Sequence, residues 1–258
     1  LGFALQLTSV RFLGTFLSEI SQTPANVRIF VARQLSITDL SVLADYAQRE
    51  TTKREHTALI RKQYGYHEFN ESFWAFRLSR LLYTRAWISN ERPSIMFDFA
   101  TAWLIQNKVL LPGVSTLSRL ISEVRERAIN RLWKRLSSLP TNKQKEKLET
   151  LLQVPEGEQI SRFDRYRKGP TKISSPAFIA AVERFLGLKG FGLCNLDYSR
   201  IPPVRLKNLA RYAGVISMHK IARMPEDKRI AILVAFVKSF EVMALDDALD
   251  ILDLLITG

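Results

Sequence analysis

The sequence predicts an all-α, multi-helical protein, and three observations support that prediction. Apolar residues recur three and four positions apart along almost the whole chain, which is the spacing of one helix face. No segment of useful length alternates apolar and polar residues as a half-buried strand does. The 258 residues are 47% hydrophobic and include one cysteine, Cys194. The core is therefore expected to form without disulfide bonds, in a reducing compartment.

Four helices are predicted between residues 1 and 65. Pro24 lies in the first turn of the second helix, where its missing N–H leaves no hydrogen bond unmade. Gly65 follows the last turn of the fourth helix, the usual place for a left-handed residue. The predicted segments are residues 2–18, Pro24 to about Leu35, a short helix capped by Thr38 or Asp39 and ending at Gln48, and Lys53–Tyr64, opened by Thr51 or Thr52.

Four more helices are predicted between residues 70 and 152. Pro93 begins the second of them, the sequence Leu-Pro-Gly at residues 111–113 forms the turn that follows, and Ser115 is expected to cap the third. The segments are residues 70–89, 93–108, 115–139 and 143–152, with a break at residues 140–142. A group of aromatic side chains at the start of the first segment is expected to pack in the core: Phe69, Phe73, Trp74 and Phe76.

No glycine- and serine-rich linker divides the chain, and the strongest predicted boundary is residues 154–158. A second, softer boundary is the glycine-containing stretch 187–192. Helices are then expected over residues 204–213 and 217–223, and Pro225 begins a last helix that continues to the end. These boundaries predict three parts: a first helical module over residues 1–90, a helix-turn-helix-like module over 91–153, and a helical connecting subdomain over 154–258.

The charge distribution favours a polyanionic partner. The formal net charge is +13, and residues 226–258 contain seven acidic and three basic residues, so that residues 1–225 carry +17. No apolar run approaches the length of a membrane helix. A surplus of this size in such a chain most often serves nucleic acid. The alternatives are solubility alone and a basic face that meets an acidic protein.

Residues 95–135 have the layout of a helix-turn-helix unit, in which the second helix lies in the major groove and presents its first turns to base edges. At about 100° per residue, the apolar positions of the second helix share one side: Leu117, Leu120, Ile121, Val124, Ala128 and Leu132. The candidate DNA contacts lie opposite or on the flank: Ser115, Thr116, Arg119, Arg127 and Lys134. An ordinary solvated surface helix is the alternative.

Two further basic stretches supply candidate contacts. The first opens the helix over residues 53–64, whose amino terminus adds backbone donors for phosphate; its candidates are Arg49, Thr52, Lys53, Arg54 and Arg61. The second is the run 162–172, interleaved with aromatic residues and expected to follow the DNA backbone as a loop between domains; its candidates are Arg165, Arg167 and Lys168. For the first stretch, the alternative is that its basic residues pair within the helix with Glu50 and its neighbours. For the second, the alternative is an ordinary solvated charge run.

No catalytic or metal-binding constellation is recognisable in the sequence. The histidines lack metal-ligand spacing, Cys194 has no local basic partner, and residues 187–192 lack the spacing of a phosphate loop. Three aspartates of the last helix are expected to form a solvated strip rather than a metal site: Asp246, Asp250 and Asp253, beside an apolar strip of Leu245, Leu249 and Leu252. We therefore expect neither cofactor nor metal in this chain. The histidines are His56, His67 and His219.

A series of short motifs in one order resembles the amino-terminal region of the Tn-three family of replicative transposases. The motifs lie between residues 1 and 114, the following helix extends the similarity to about residue 136, and residues 140–258 are placed by continuity. The matching segments are Leu1–Leu7, Arg11–Phe16, Ala44–Ala47, Arg49–His56, Tyr64–Tyr66, Ala86–Trp87, Arg92–Pro93, Ala102–Leu104 and Leu110–Val114.

The resemblance implies that this region binds double-stranded DNA at the terminal inverted repeats of a transposon. It also implies that DNA cutting at a magnesium-dependent Asp-Asp-Glu site, and homodimer formation, belong to later parts of the parent chain. No such triad is identifiable here, and the sequence lacks an initiator methionine. We therefore expect a fragment that binds DNA without cleaving it, located in the bacterial cytoplasm at the nucleoid, with no membrane partner. A helical interaction module for an acidic protein is the alternative.

Overall fold

The computed structural model describes residues 1–20 and 23–257, and this part of the chain contains α-helices and no β-strand. The predicted all-α class is confirmed. The helices are α1 (Gly2–Leu13), α2 (Ala25–Gln34), α3 (Val42–Gln48), α4 (Glu50–Tyr64), α5 (Ser72–Ile88), α6 (Pro93–Gln106), α7 (Val114–Ser137), α8 (Asn142–Glu149), α9 (Arg162–Arg167), α10 (Ser175–Lys189), α11 (Pro203–Val215), α12 (Met218–Ala222) and α13 (Glu226–Thr257). A 3-10 turn, Thr150–Leu152, follows α8.

The chain folds into two compact units. The amino-terminal unit comprises Leu1–Tyr83 and Glu91–Val124, and the carboxy-terminal unit comprises Thr84–Asn90 and Arg125–Gly258. Helices α5 and α7 each contribute residues to both units. The structural division differs from the three segments expected from the sequence, because two of its boundaries fall inside α5 and α7, whereas the predicted divisions at 90/91 and 153/154 lie in connections between helices. Whether residues 1–90, 91–153 and 154–258 act as separate modules stays a prediction.

The amino-terminal unit is organised around α1. This helix packs against α2, α4 and α6, and it ends at Leu13 rather than at residue 18. The cause is Gly14, which adopts a left-handed conformation with φ +72° and donates its N–H to the carbonyl of Val10. The small core cluster here consists of Leu5, Ile20, Val31, Leu43 and Tyr46.

The connection between α6 and α7, residues 107–113, is held by three backbone hydrogen bonds from other connections. His67, in the segment after α4, donates its N–H to Lys108 and accepts from the N–H of Leu110, both at 2.9 Å. Gly14, directly after α1, accepts from the N–H of Leu111 at 2.9 Å. These bonds fix the position from which α7 begins.

The residues predicted to cap or open three helices do not do so, and two of these helices lie before α5. Helix α3 begins at Val42 because the carboxylate of Asp39 accepts from both the amide and the hydroxyl of Ser41 at 2.8 Å, which forms a turn, so that neither Thr38 nor Asp39 caps the helix. Helix α4 begins directly after Arg49, and the two threonines expected to open it lie inside it. These are Thr51 and Thr52.

The third difference is the start of α7, which is set by Gly113 rather than by Ser115. The carbonyl of Gly113 accepts from the N–H groups of Thr116 and Leu117 at 2.9 and 3.1 Å, so Ser115 lies within the first turn and is not the cap. Two other predicted signals are confirmed. Gly65 ends α4 in a left-handed conformation, and Pro93 is the first residue of α6.

The carboxy-terminal unit is built on α13, whose residues 230–237 are all buried. Helices α10 and α11 pack along it, and Phe236 lies 4.4 Å, between ring centroids, from both Phe163 and Phe240. The stretch 187–192 is not a boundary as expected, because α10 continues to Lys189. A Cβ at Gly187 would collide with the hydroxyl of Tyr166, so a larger residue there would require the Tyr166 side chain to shift.

Two apolar groups are more exposed than the sequence pattern indicates. In α5, Phe73 and Phe76 are 57% and 66% exposed, so the aromatic cluster is only partly a core element, with Phe69 and Trp74 half-buried. In α13, the leucine strip expected beside the aspartates faces outward as well. The buried positions lie one residue away, at Ala244, Ala248 and Ile251, while Leu245, Leu249 and Leu252 are exposed.

Candidate nucleic-acid interface

Helices α6 and α7 follow one another along the chain as the sequence predicts, but with a longer connection than expected, and their arrangement as a helix-turn-helix unit stays a prediction. Compact units of this kind use a turn of about 3–4 residues, whereas residues 107–113 separate the two helices here. Val109, at 1% exposure, anchors the connection in the core. Lys108 adopts a left-handed conformation with φ +53° and donates its Nζ to the carbonyl of Tyr64 at 3.0 Å. The start of α7 is therefore supported by a fixed connection.

The two faces of α7 are as predicted. Its apolar positions are buried, with the exception of Leu120, which is half-buried. On the other side, Arg119 is the most open cation of the first turns, with 75% of its side chain exposed, and Glu123 lies 3.9 Å from it. Thr116 is half-buried. Ser115, Arg127 and Lys134, along the same side, are all exposed.

The basic residues that open α4 divide into accessible and paired side chains. Arg49 and Arg54 are exposed. Lys53 is only 13% exposed at its side chain and is paired with Glu50 at 2.7 Å, and this pair lowers the pKa of the Glu50 carboxyl. Arg61 is paired with Glu68, and Thr52 is half-buried. Arg49 and Arg54 are therefore the cations of this stretch that remain most accessible to a phosphate.

The basic run 162–172 is partly a helix, not only a loop, and it lies within the carboxy-terminal unit. Arg165 is 51% exposed and paired with Glu158. Arg167 is turned inward: its guanidinium donates to the carbonyl of Ile216 at 2.6 Å, is paired with Asp164 and lies 4.9 Å from the ring centroid of Phe163. Lys168 is exposed. Arg167 therefore ties α9 to the end of α11, while Arg165 and Lys168 stay accessible.

A cavity of about 240 Å³ in the carboxy-terminal unit contains a basic group that the sequence did not single out. Arg205, on α11, lines it at 7% exposure and donates to the carbonyl of Ser89 at 3.4 Å and to the amide oxygen of Asn90 at 2.9 Å. Both acceptors are uncharged, and the Nε of Arg205 has no acceptor among the described residues. Burial, together with the charge of Arg125, lowers the pKa of the Arg205 guanidinium.

Two further residues that carry donor groups line the same cavity. Trp133, on α7, keeps its Nε1 buried and without an acceptor in the described part of the chain. The Nζ of Lys228, on α13, lies 4.8 Å from the ring centroid of Trp133. One sequence signal points to this site: Arg205 stands four residues after Ile201 and four before Leu209, in the middle of an otherwise apolar stripe. A cation at such a position needs a partner.

The residues considered for metal binding or nucleophilic chemistry do not form one cluster in the described part of the chain. His56 stacks on Tyr46 at 5.4 Å between ring centroids, His67 lies against Trp74, and Cys194 is exposed. Within residues 1–20 and 23–257, no three His, Cys, Asp or Glu side chains are grouped to hold a metal ion. Asp247, the aspartate outside the solvated strip, is paired with Arg184 at 2.5 Å. No helix in the described residues has both the length and the apolar character needed to span a bilayer.

Comparisons with known proteins cover nearly the whole chain. Residues 1–124 match the family described as "Domain of unknown function (DUF4158)". The chain is 57% identical, over 99% of its length and 26% of the relative's, to the transposase for transposon gamma-delta of Escherichia coli (strain K12). It is 28% identical, over 98% of its length and 26% of the relative's, to the transposase for transposon Tn1546 of Enterococcus faecium. It is 29% identical, over 98% and 25% respectively, to the transposase for transposon Tn501 of Pseudomonas aeruginosa.

The chain spans about a quarter of the length of these relatives. The similarity is not confined to residues 1–136, where the short motifs lie, but includes the second half of the chain, for which the motifs gave no direct support. The matches thereby confirm the resemblance found in the sequence: from end to end, this chain is similar to the amino-terminal region of Tn-three family transposases.

Proposed function

We propose that this chain is the DNA-binding part of a transposase and recognises the terminal inverted repeats of its transposon. The observation that carries the proposal is the match of the entire chain to proteins named as transposases. A transposase has to locate the ends of its element. The charge of +17 on residues 1–225 is suited to a duplex, whose backbone phosphates supply most of the binding free energy.

In this proposal, the first turns of α7 read bases and the other basic groups hold phosphates. Arg119 is exposed at the start of a helix whose opposite face is buried, which is the arrangement of a recognition helix. Arginine forms bidentate hydrogen bonds to guanine in the major groove, and hydroxyl side chains bond to bases or phosphates. The sequence-independent contacts are then Arg49, Arg54, Arg165 and Lys168, and the basic face of α7 is extended by Arg127 and Lys134.

The parent protein, in this proposal, is a magnesium-dependent transposase of the Asp-Asp-Glu type, and the chain contributes binding without catalysis. We further propose that the full-length protein forms a dimer and is located at the bacterial nucleoid. The avidity of several weak modules on one chain exceeds the affinity of each, because binding of one raises the effective concentration of the next. Each module can therefore be weak on its own.

The test is a competition binding experiment with a labelled duplex of the terminal repeat. Salt dependence alone does not distinguish DNA from an acidic protein, because both interactions are screened. The expected result is that unlabelled terminal repeat displaces the chain at concentrations roughly ten or more times lower than unrelated duplex of equal length. If the chain binds neither duplex, or binds an acidic protein in preference to both, the proposal fails.

A further inference from the structure

The cavity around Arg205 contains a positive charge that the described residues do not neutralise. Arginine remains protonated in proteins, and Arg205 is 7% exposed. In the described residues, its guanidinium forms no ion pair, and its hydrogen bonds go to the uncharged oxygens of Ser89 and Asn90. A buried charge without a counter-charge strongly destabilises the folded state. Two further cations add to the positive charge at this place. Lys228 also lines the cavity, and Arg125 lies close enough for its charge to lower the pKa of Arg205.

The donors and the size of the cavity specify the class of anion. Arg205 and Trp133 each retain a buried N–H without an acceptor in the described residues, and Lys228 adds an ammonium group beside the Trp133 ring. A tetrahedral oxyanion accepts hydrogen bonds from a guanidinium and an ammonium group at once. The volume of about 240 Å³ is below the ~300–1,000 Å³ of most sites for complete small molecules, and so suits a single charged group. The remaining walls include Ile129, Leu132 and Leu209.

We propose that this cavity binds one phosphate group through the charged side chains of Arg205 and Lys228, beside the ring of Trp133. The group is either a backbone phosphate of the duplex or a free phosphate compound. The first source rests on the proposed function, and the second does not. In both cases the bound phosphate supplies the counter-charge that Arg205 lacks.

The first experiment measures the melting temperature with inorganic phosphate, against sodium chloride of equal ionic strength. At ten times its Kd, phosphate is expected to raise the Tm of the wild-type chain by roughly 3–5 °C. Arg205→Met, which keeps the volume without the charge, should lose this rise. Arg211→Met is the matched control, because Arg211 is an exposed arginine on the same helix, and it should keep the rise. Lys228→Met is a second test at the same cavity, should Arg205→Met fail to fold, and should at least halve the response.

The second experiment identifies the source of the phosphate by measuring duplex affinity against salt concentration. Each phosphate contact contributes about 0.9 to the slope of log K against log salt. If the DNA backbone occupies the cavity, Arg205→Met reduces that slope by about one while Arg211→Met leaves it unchanged. A phosphate response in Tm with an unchanged slope indicates a free phosphate compound instead.

The outcomes separate this proposal from the proposed function. Equal Tm values in phosphate and chloride, together with equal salt slopes for the wild type and Arg205→Met, overturn the phosphate site even if the chain binds the terminal repeat. A phosphate response abolished by Arg205→Met, in a chain that binds no duplex, supports the site while the proposed function fails. A rise in Tm that Arg205→Met retains places the anion elsewhere and also overturns the site.

Discussion

The N–H of Leu111 donates a 2.9 Å hydrogen bond to the carbonyl of Gly14. This bond links the end of α1 to the connection that positions α7, and Gly14 is left-handed with φ +72°. A Cβ at residue 14 would lie 2.8 Å from Cγ of Leu111 and 2.9 Å from Cγ1 of Ile105. Both the backbone conformation and the close approach therefore require glycine.

Gly14→Ala is expected to destabilise the fold by about 2–4 kcal/mol, the sum of the cost of a left-handed alanine and of overpacking. The matched control is Gly65→Ala, because Gly65 has a similar φ of +68° but no atom within 4 Å of the place that an alanine methyl group would occupy. That substitution should cost only about 1–2 kcal/mol. Urea unfolding measures both, and equal losses would contradict the packing role assigned to Gly14.

Arg119→Ala is expected to reduce the preference for the terminal repeat. A bidentate contact between arginine and a base contributes about 1–3 kcal/mol of discrimination, so the ratio of Kd values for unrelated and specific duplex should fall by roughly 5- to 150-fold. Stability should be unaffected, since the side chain is 75% exposed. Fluorescence anisotropy with the two duplexes measures the ratio. Arg165→Ala is the comparison and should weaken binding to both duplexes equally. If Arg165→Ala instead weakened binding to the specific duplex alone, Arg165 would be a base contact and not a phosphate contact.

Arg167→Met is expected to act on stability. The guanidinium donates to the carbonyl of Ile216 at 2.6 Å and is paired with Asp164. Hydrogen bonds of charged groups contribute about 1.5–3 kcal/mol each, so a loss of roughly 2–3 kcal/mol in the free energy of unfolding is expected. Lys168→Met, at the exposed neighbouring position, should change it by less than about 0.5 kcal/mol. Chemical denaturation measures the free energy of unfolding of the two variants. Equal values for Arg167→Met and Lys168→Met would show that Arg167 does not tie α9 to α11.

The turn before α3 is expected to depend on pH through Asp39. Hydrogen bonds from the amide and the hydroxyl of Ser41 lower the pKa of the Asp39 carboxyl below its usual range. A carboxyl with a lowered folded-state pKa contributes stability above its unfolded pKa of about 3.9 and loses it as the pH falls through the folded value. Asp39→Asn should therefore destabilise the chain slightly near neutral pH, and this difference should vanish once the pH lies below both values. NMR titration of the Asp39 carboxyl provides the direct check, and a pKa at or above the unfolded value would exclude the effect.

The sequence predicted what depends on local chemistry. Helical periodicity identified the buried and exposed faces of α7, and single residues such as Gly65 and Pro93 marked helix ends correctly. The face of a helix follows from the order of its own residues. That is why the exposed position of Arg119 could be inferred without the structure.

The features that the sequence did not predict depend on contacts between distant segments. The early end of α1 at Gly14 follows partly from packing against Leu111 and Ile105, which are distant in the sequence. The inward turn of Arg167 depends on carbonyls at the end of α11. Arg205 interrupts an apolar stripe, which is a visible signal, but only the fold shows that no carboxylate neutralises it among the described residues.

The most direct test of the account is footprinting of the purified chain on DNA that carries the ends of its own transposon. We expect protection confined to the terminal inverted repeats, at concentrations of the chain that leave the flanking DNA unprotected. For each variant, protection of the repeat is compared with its affinity for unrelated duplex, and by this ratio Arg119→Ala is expected to lose more protection than Arg165→Ala. Uniform protection along the whole DNA fragment, or no protection at concentrations where the chain is folded, would show that the chain does not recognise the repeats.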